Sequence, residues 1–152
     1  SGKSYFGKKL AERLSLNFID TDKMLEKVFK LPCAKIYQKH GEEFFRKEEE
    51  KIILSLKAKN TIIALGGGAV LSEKNLKALY SLGTLVYLNP SYILLKSRFK
   101  NIFPPCFKNK SFKNIYRERT SFYEKIYAET IDIDHQNEEE ILLKLERIYY
   151  GK

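Results

Sequence analysis

Lys3 and Ser4 stand directly after Gly2, Asp20 and Asp22 flank one threonine, Arg46 precedes Glu49 by three residues, and Gly66, Gly67 and Gly68 run consecutively. Gly-Lys-Ser closes the phosphate-binding loop G-x-x-x-x-G-K-[ST], in which backbone N–H groups and the lysine cradle phosphates and the hydroxyl reaches a magnesium ion. That loop leaves a buried strand and enters a helix. Here the helix follows, but neither the strand nor the first glycine precedes, so half of the motif is present.

Asp20 and Asp22 lie at a strand end, where a turn lets both reach the mouth of a site. Two carboxylates near a nucleotide phosphate suit Mg²⁺, which takes oxygen ligands and keeps several waters. The same pair also suits a solvated turn, or a helix N-cap at Asp22. Arg46 and Glu49 can pair at i, i+3 on one helix face. The run around them also reads as a solvated, charge-laced helix. Against that, Arg46 is the only arginine in a region of lysines, and a planar fork grips a carboxylate in a way lysine cannot. Three glycines cost backbone entropy. They make sense where backbone approaches a ligand closely and offers N–H groups; a flexible connection needs only one.

These groups need elements to carry them. After Gly-Lys-Ser, Phe6, Leu10 and Leu14 form one helical stripe. "LNFID" reads as a short buried strand. Helical material follows at Met24, Leu25 and Val28 and at Ile36 and Tyr37, broken by Pro32. A long charged helix begins near Gly41, with Phe45, Ile52 and Leu56 at helical spacing. "NTIIALGGG" is a β-branched strand stopped by glycine. Ser72 caps a helix that Gly83 stops. "TLVYLNP" is a strand and "SYILLKSRFK" a helix. A loop with Pro104 and Pro105 leads to a helix from about 111 to 126, the strand "ETIDID" and a final helix. Strands alternating with helices predict a three-layer α/β/α fold with a central parallel sheet. A phosphate loop needs a central strand ahead of it, so the natural chain is expected to extend N-terminally by on the order of 10–15 residues.

At 152 residues the chain makes one domain. No apolar run reaches a membrane span. Cys33 and Cys106 make no disulfide framework, and His40 and His135 give no zinc spacing with them; ordinary side chains in a reducing cytoplasm are expected. The net charge is +9. It fits attraction for anionic small molecules. Only six of the 28 basic residues are arginine. Base-reading surfaces lean on arginine, so the excess argues against nucleic acid, despite basic and aromatic residues interleaved in "KNIFPPCFKNKSFKNIYRER".

The order of these groups resembles the shikimate kinase family over essentially the whole chain. The family's D-[ST]-D-x-x-I-E stands as Asp20-Thr21-Asp22-Lys23-Met24-Leu25-Glu26, and G-E-x-x-F-R-x-x-E as Gly41 to Glu49. I-A-x-G-G-G-x-V stands as Ile63 to Val70, and E-R-x-x-x-Y as Glu118-Arg119-Thr120-Ser121-Phe122-Tyr123. The resemblance implies a P-loop kinase that phosphorylates the 3-hydroxyl of shikimate from ATP, in chorismate and aromatic amino-acid biosynthesis. It implies a cytoplasmic monomer. Ser1, Gly2, Lys3, Ser4 and Tyr5 would cradle the nucleotide, with Lys3 on the β- and γ-phosphates and Arg98 along the adenine. Ser4 and Asp20 would hold Mg²⁺. Asp22 would orient the attacking hydroxyl and rest ionised. Arg46 and Arg119 would grip the carboxylate. Gly66, Gly67 and Gly68 would meet the ring hydroxyls, with Phe45 and Tyr37 as apolar walls.

It further implies one domain over 1–152, with substrate-binding helices at about 22–58 and a mobile lid at about 101–113. The family's lid carries R-P-L-L. Phe103-Pro104-Pro105-Cys106-Phe107 keeps the proline without the arginine, so no residue takes that role. Lys108 or Lys110 offers only a point charge, and a weak clamp with low turnover is expected. Tyr5 replaces the usual second hydroxyl. Gluconate and nucleoside monophosphate kinases share the loop and sheet, but do not need Asp22, Arg46, three glycines and Arg119 together. A family member that has lost activity is the remaining alternative.

Overall fold

The computed structural model describes residues 2–57, 59–99 and 111–151. Ser1 and the expected lid as far as residue 110, with Lys108 and Lys110, lie outside the described residues; Ser111 already caps the next helix. The chain divides into two compact units, Ala11–Gly83 and Ser1–Leu10 with Thr84–Lys152.

In the first unit, β1 (Asn17–Asp20) and β2 (Thr61–Ala64) pair in parallel, with Asp20 beside Ala64. Two parallel strands in this register send the chain out at the same end, where residues 21–22 and 65–68 become neighbours. β1 is exposed at Asn17 and half-buried from Phe18 to Asp20, less buried than expected; a strand of a two-stranded sheet keeps one edge open. Helix α2 (Thr21–Phe29) ends at Lys30 in the left-handed region. Helix α3 (Cys33–Ser55) starts after Pro32 and breaks at Gly41, whose φ of 84° and ψ of 173° are not helical. Both breaks fall where proline and glycine placed them. Leu25, Ile36 and Phe45 form a buried core, against which Phe29, Tyr37 and Phe44 pack. Leu25 and Phe29 lie one turn apart on that stripe. Val28, expected among the apolar positions, is instead exposed. A 3₁₀ turn (Ala69–Leu71) separates the glycines from α4 (Glu73–Leu82), which Ser72 caps and Gly83 ends.

The second unit holds the beginning of α1 (Lys3–Leu14), β3 (Val86–Asn89), α5 (Tyr92–Phe99), α6 (Phe112–Ile126), β4 (Glu129–Asp132) and α7 (Glu138–Tyr149). β3 and β4 are parallel. Phe6 and Leu10 of the expected stripe are buried, as are Tyr87, Ile115, Ile131 and Leu145. The four expected strands are therefore present and parallel, arranged as two two-stranded sheets. Among the described residues no helix is long and apolar enough to cross a membrane.

Asn137 and Glu140 form a reciprocal capping box at the start of α7. Asn137→Ala removes one half of it. This cap is worth about 1 kcal/mol, so the variant is expected to lower Tm by about 2–4 °C, measurable by scanning calorimetry.

Candidate active site

The carboxyl ends of β1 and β2 carry the groups expected at shikimate. Asp20 caps α2, accepting the Lys23 N–H at 3.1 Å. The cap is therefore Asp20, not Asp22, because the strand runs to Asp20 and the helix starts at the next residue. Thr21 is buried. Its hydroxyl donates to the Ala64 carbonyl at 3.4 Å and accepts the Gly66 N–H at 3.0 Å. Asp22 lies in the first turn of α2.

Gly66 and Gly68 are buried, and Gly67 is exposed. A Cβ at Gly66 would lie 2.5 Å from Asp22 Oδ1 and 2.9 Å from Glu49 Oε1. A Cβ at Gly68 would lie 2.2 Å from Arg46 Nη1. Gly68 has an ordinary backbone, with φ −103° and ψ −5°. Side-chain approach, not backbone freedom, is what requires glycine at these two positions. The Gly66 N–H, expected to face a ligand, is engaged by Thr21.

Arg46 reaches this turn from α3. Its Nη1 donates to Glu49 Oε2 at 2.8 Å, and Glu49 is 2% exposed while the arginine is 27% exposed. Glu42 Oε1 stands 3.8 Å from Arg46 Nε. Phe45 lies in the core with its ring 5.5 Å from the guanidinium carbon, and Tyr37 packs on that ring at 5.7 Å. The outer face of the same helix is charge-laced, with Lys47–Glu43 at 2.9 Å and Lys51–Glu48 at 2.5 Å. The helix thus carries a solvated face and an inward Arg46–Glu49 pair.

Cys33 reports the field of this site. Its thiol donates to the Asp22 carbonyl oxygen at 3.4 Å. Burial pushes the thiol up to about 12, and the Asp22, Glu26, Asp20 and Glu49 carboxylates add to the shift. A thiol reacts as its thiolate. In a Cys106→Ser background, iodoacetamide at pH 8 should modify folded Cys33 roughly a thousandfold more slowly than the urea-unfolded chain. Equal rates in the two states would contradict the half-buried, acidic setting.

The second unit carries the groups expected at a nucleotide. Gly2 has φ of +88°, and a Cβ there would meet the Phe6 ring at 3.2 Å and Arg98 Nη1 at 3.8 Å. The Arg98 guanidinium therefore comes to the head of α1, where Lys3 and Ser4 begin the helix. That first turn has no acidic residue, and a helix N-terminus favours an anion through its N–H groups and dipole. The Tyr5 hydroxyl donates to Glu138 of α7, which also takes Lys9 at 2.5 Å. The Tyr5 side chain is thus turned to α7, leaving its backbone N–H as what it can offer a phosphate. Hydrogen bonds from Ser91 hold the Asp134 carboxyl below its usual range, with the His135 and Arg98 charges adding. Arg119 lies half-buried on α6.

The first unit therefore brings together Asp22, Arg46, Glu49, Gly66 and Gly68, with Phe45 and Tyr37 behind them. The second brings Arg98 to Gly2 and carries Lys3, Ser4, Tyr5 and Arg119. Thr21 and the burial of Glu49 escape the sequence reading. Their signals are a hydroxyl between two acids at a strand end, and a glutamate three residues after a lone arginine. Among the described residues no group of three His, Cys, Asp or Glu is set to hold a metal. The Ser4 hydroxyl and the Asp20 carboxylate, expected at Mg²⁺, are oxygen donors of the kind that ion takes.

A sequence model of the family described as shikimate kinase matches residues 1–149. A shikimate kinase of Caldanaerobacter subterraneus subsp. tengcongensis is 37% identical, with 98% of this chain and 90% of that protein covered. The solved shikimate kinase of Aquifex aeolicus is 28% identical with a TM-score of 0.78, covering 99% of this chain and 90% of its own. The fold also matches a shikimate kinase of Acinetobacter baumannii solved in complex with shikimate, at a TM-score of 0.87 and 24% identity, over 99% of this chain and 87% of that one. The match runs through both units and through every motif that converges on the glycine turn, and on that ground the chain belongs to the shikimate kinase family.

Proposed function

We propose that this protein transfers the γ-phosphoryl group of ATP to the 3-hydroxyl of shikimate, in the route to chorismate and the aromatic amino acids. The observation that carries the reading is the glycine turn, where a carboxylate and an ion-paired guanidinium meet two buried glycines. Shikimate is a small ring bearing one carboxylate and three hydroxyls. It needs a cation for the first and hydrogen-bonding groups for the others.

Phosphoryl transfer has a loose transition state, so positioning and charge neutralisation do most of the work. Arg46 receives the substrate carboxylate. Its planar fork carries five donors, and the buried bond to Glu49 fixes the plane of that fork. Arg119 completes the grip. Asp22, facing Gly66, takes the hydrogen of the attacking hydroxyl and aims its oxygen. The proton leaves late, so orientation matters more than basicity. Gly66 and Gly68 keep the turn thin enough for these side chains, and exposed Gly67 meets the ring hydroxyls. Phe45 and Tyr37 back the apolar side. Gly2, Lys3, Ser4 and the Tyr5 N–H hold the phosphates, with Ser1 preceding them, and Arg98 lies along the adenine. Mg²⁺ supplies charge neutralisation on the phosphates, and Ser4 and Asp20 are the oxygen donors for it. The two units act as one kinase domain, as a monomer in the cytoplasm.

A coupled assay of ADP release tests this. Shikimate should support turnover, with the phosphate found on the 3-oxygen. Gluconate and nucleoside monophosphates should not. Turnover of either rival with shikimate inert would overturn the reading.

A further inference from the structure

We infer that Thr21 is a positioning residue for phosphoryl transfer: its buried hydroxyl locks the Gly66 turn against Asp22 and fixes where that carboxylate sits. This rests on the proposal that Asp22 orients the attacking hydroxyl.

The β1–β2 register ends at Asp20 and Ala64. The Thr21 hydroxyl carries the connection one step further. It donates to the carbonyl of Ala64, the last residue of β2, and accepts the N–H of Gly66, two residues beyond. A hydroxyl has one hydrogen and two lone pairs, so both directions are used at once. Thr21 is 1% exposed, which keeps water from competing. Its χ1 is stiff because Cβ is branched.

On the other side, Thr21 is covalently joined to Asp22. The Asp22 Oδ1 lies so near Gly66 that a Cβ there would stand 2.5 Å away. Thr21 therefore holds both edges of the Asp22–Gly66 gap, one through the peptide bond and one through a hydrogen bond. A gap too narrow for one carbon changes its contacts with a shift of a fraction of an ångström. Glu49 Oε1 faces the same position at 2.9 Å, so movement of the turn also reaches the carboxylate that holds Arg46.

The test compares Thr21→Val, of similar shape without the hydroxyl, with Thr21→Ser, which keeps it. A misplacement of about 1 Å can cost on the order of a hundredfold in rate. The valine variant should lose about 10- to 100-fold in kcat, with KM for ATP unchanged. The serine variant should stay within about threefold of the parent. Thr21→Ala, which cannot clash, replaces valine should that variant fail to fold. A lower Tm with kcat intact in the valine or alanine variant would overturn the inference, as would serine falling as far as valine. Asp22→Asn, measured alongside, separates the two levels. Should it keep full kcat, the reading of Asp22 fails and the inference with it. Should it lose kcat while Thr21→Val keeps it, only the inference fails.

Discussion

Arg46→Lys is expected to raise KM for shikimate by about 30- to 150-fold and to leave KM for ATP within about twofold of its starting value. The range corresponds to losing a charge-assisted bidentate contact of about 2–3 kcal/mol. Lysine keeps the charge but not the fork. It also cannot hold Glu49 with one donor and present a plane of others. The chain is otherwise rich in lysine, with 28 basic residues of which six are arginine, so an arginine retained here and at position 119 points to geometry, not charge. Arg119→Lys should behave in the same way. Steady-state kinetics with each substrate varied in turn decides the matter. Equal rises in both KM values would remove Arg46 from the substrate carboxylate.

The elements that carry this site are legible because each has a local cause. β-branched runs mark β2, Pro32 and Gly41 punctuate α3, and Ser72 caps α4. The Arg46–Glu49 pair is legible from i, i+3 spacing alone. Its burial is not, because a sequence shows which residues share a helix face and not what that face meets. The outer pairs Lys47–Glu43 and Lys51–Glu48 have the same kind of spacing, yet their lysines lie in solvent. Thr21 is harder still. Its two bonds run to residues 43 and 45 positions away, and only the β1–β2 register brings them together. The same register decides what the glycines do, because local sequence shows only their backbone. Their purpose lies in side chains from α2 and α3 that local reasoning cannot place beside them. The groups at the head of α1 are the reverse case: the motif Gly-Lys-Ser names them, while the arrival of Arg98 beside Gly2 is a contact across nearly a hundred residues.

Gly66→Ala and Gly68→Ala add the same methyl group two residues apart, and their effects should differ in kind. Neither position needs a left-handed backbone, so alanine brings no intrinsic φ/ψ strain. At Gly68 the new carbon would stand 2.2 Å from Arg46 Nη1, the far end of a long side chain. The guanidinium can swing aside, but it then leaves both the substrate carboxylate and the Glu49 carboxylate, which is 2% exposed. KM for shikimate should rise about 30-fold, and stability should fall by about 3–5 kcal/mol, the cost of breaking a buried ion pair. At Gly66 the carbon would meet Asp22 Oδ1 at 2.5 Å and Glu49 Oε1 at 2.9 Å. Asp22 is short and Glu49 is buried, so neither can yield without moving backbone. Overpacking of this sort costs about 1–3 kcal/mol of stability. It also displaces the carboxylate that aims the attacking oxygen and the one that holds Arg46. With each displacement worth a factor of ten to a hundred, kcat/KM for shikimate should fall about a thousandfold, shared between kcat through Asp22 and KM through Arg46. Urea melts and kinetics on both variants separate the cases. A Gly66→Ala enzyme with normal kcat would show that the Asp22 carboxylate has room to move without consequence, and the transfer would then need another group to orient the hydroxyl. A Gly68→Ala enzyme with normal KM would show instead that Arg46 binds shikimate from a position other than the one Glu49 gives it.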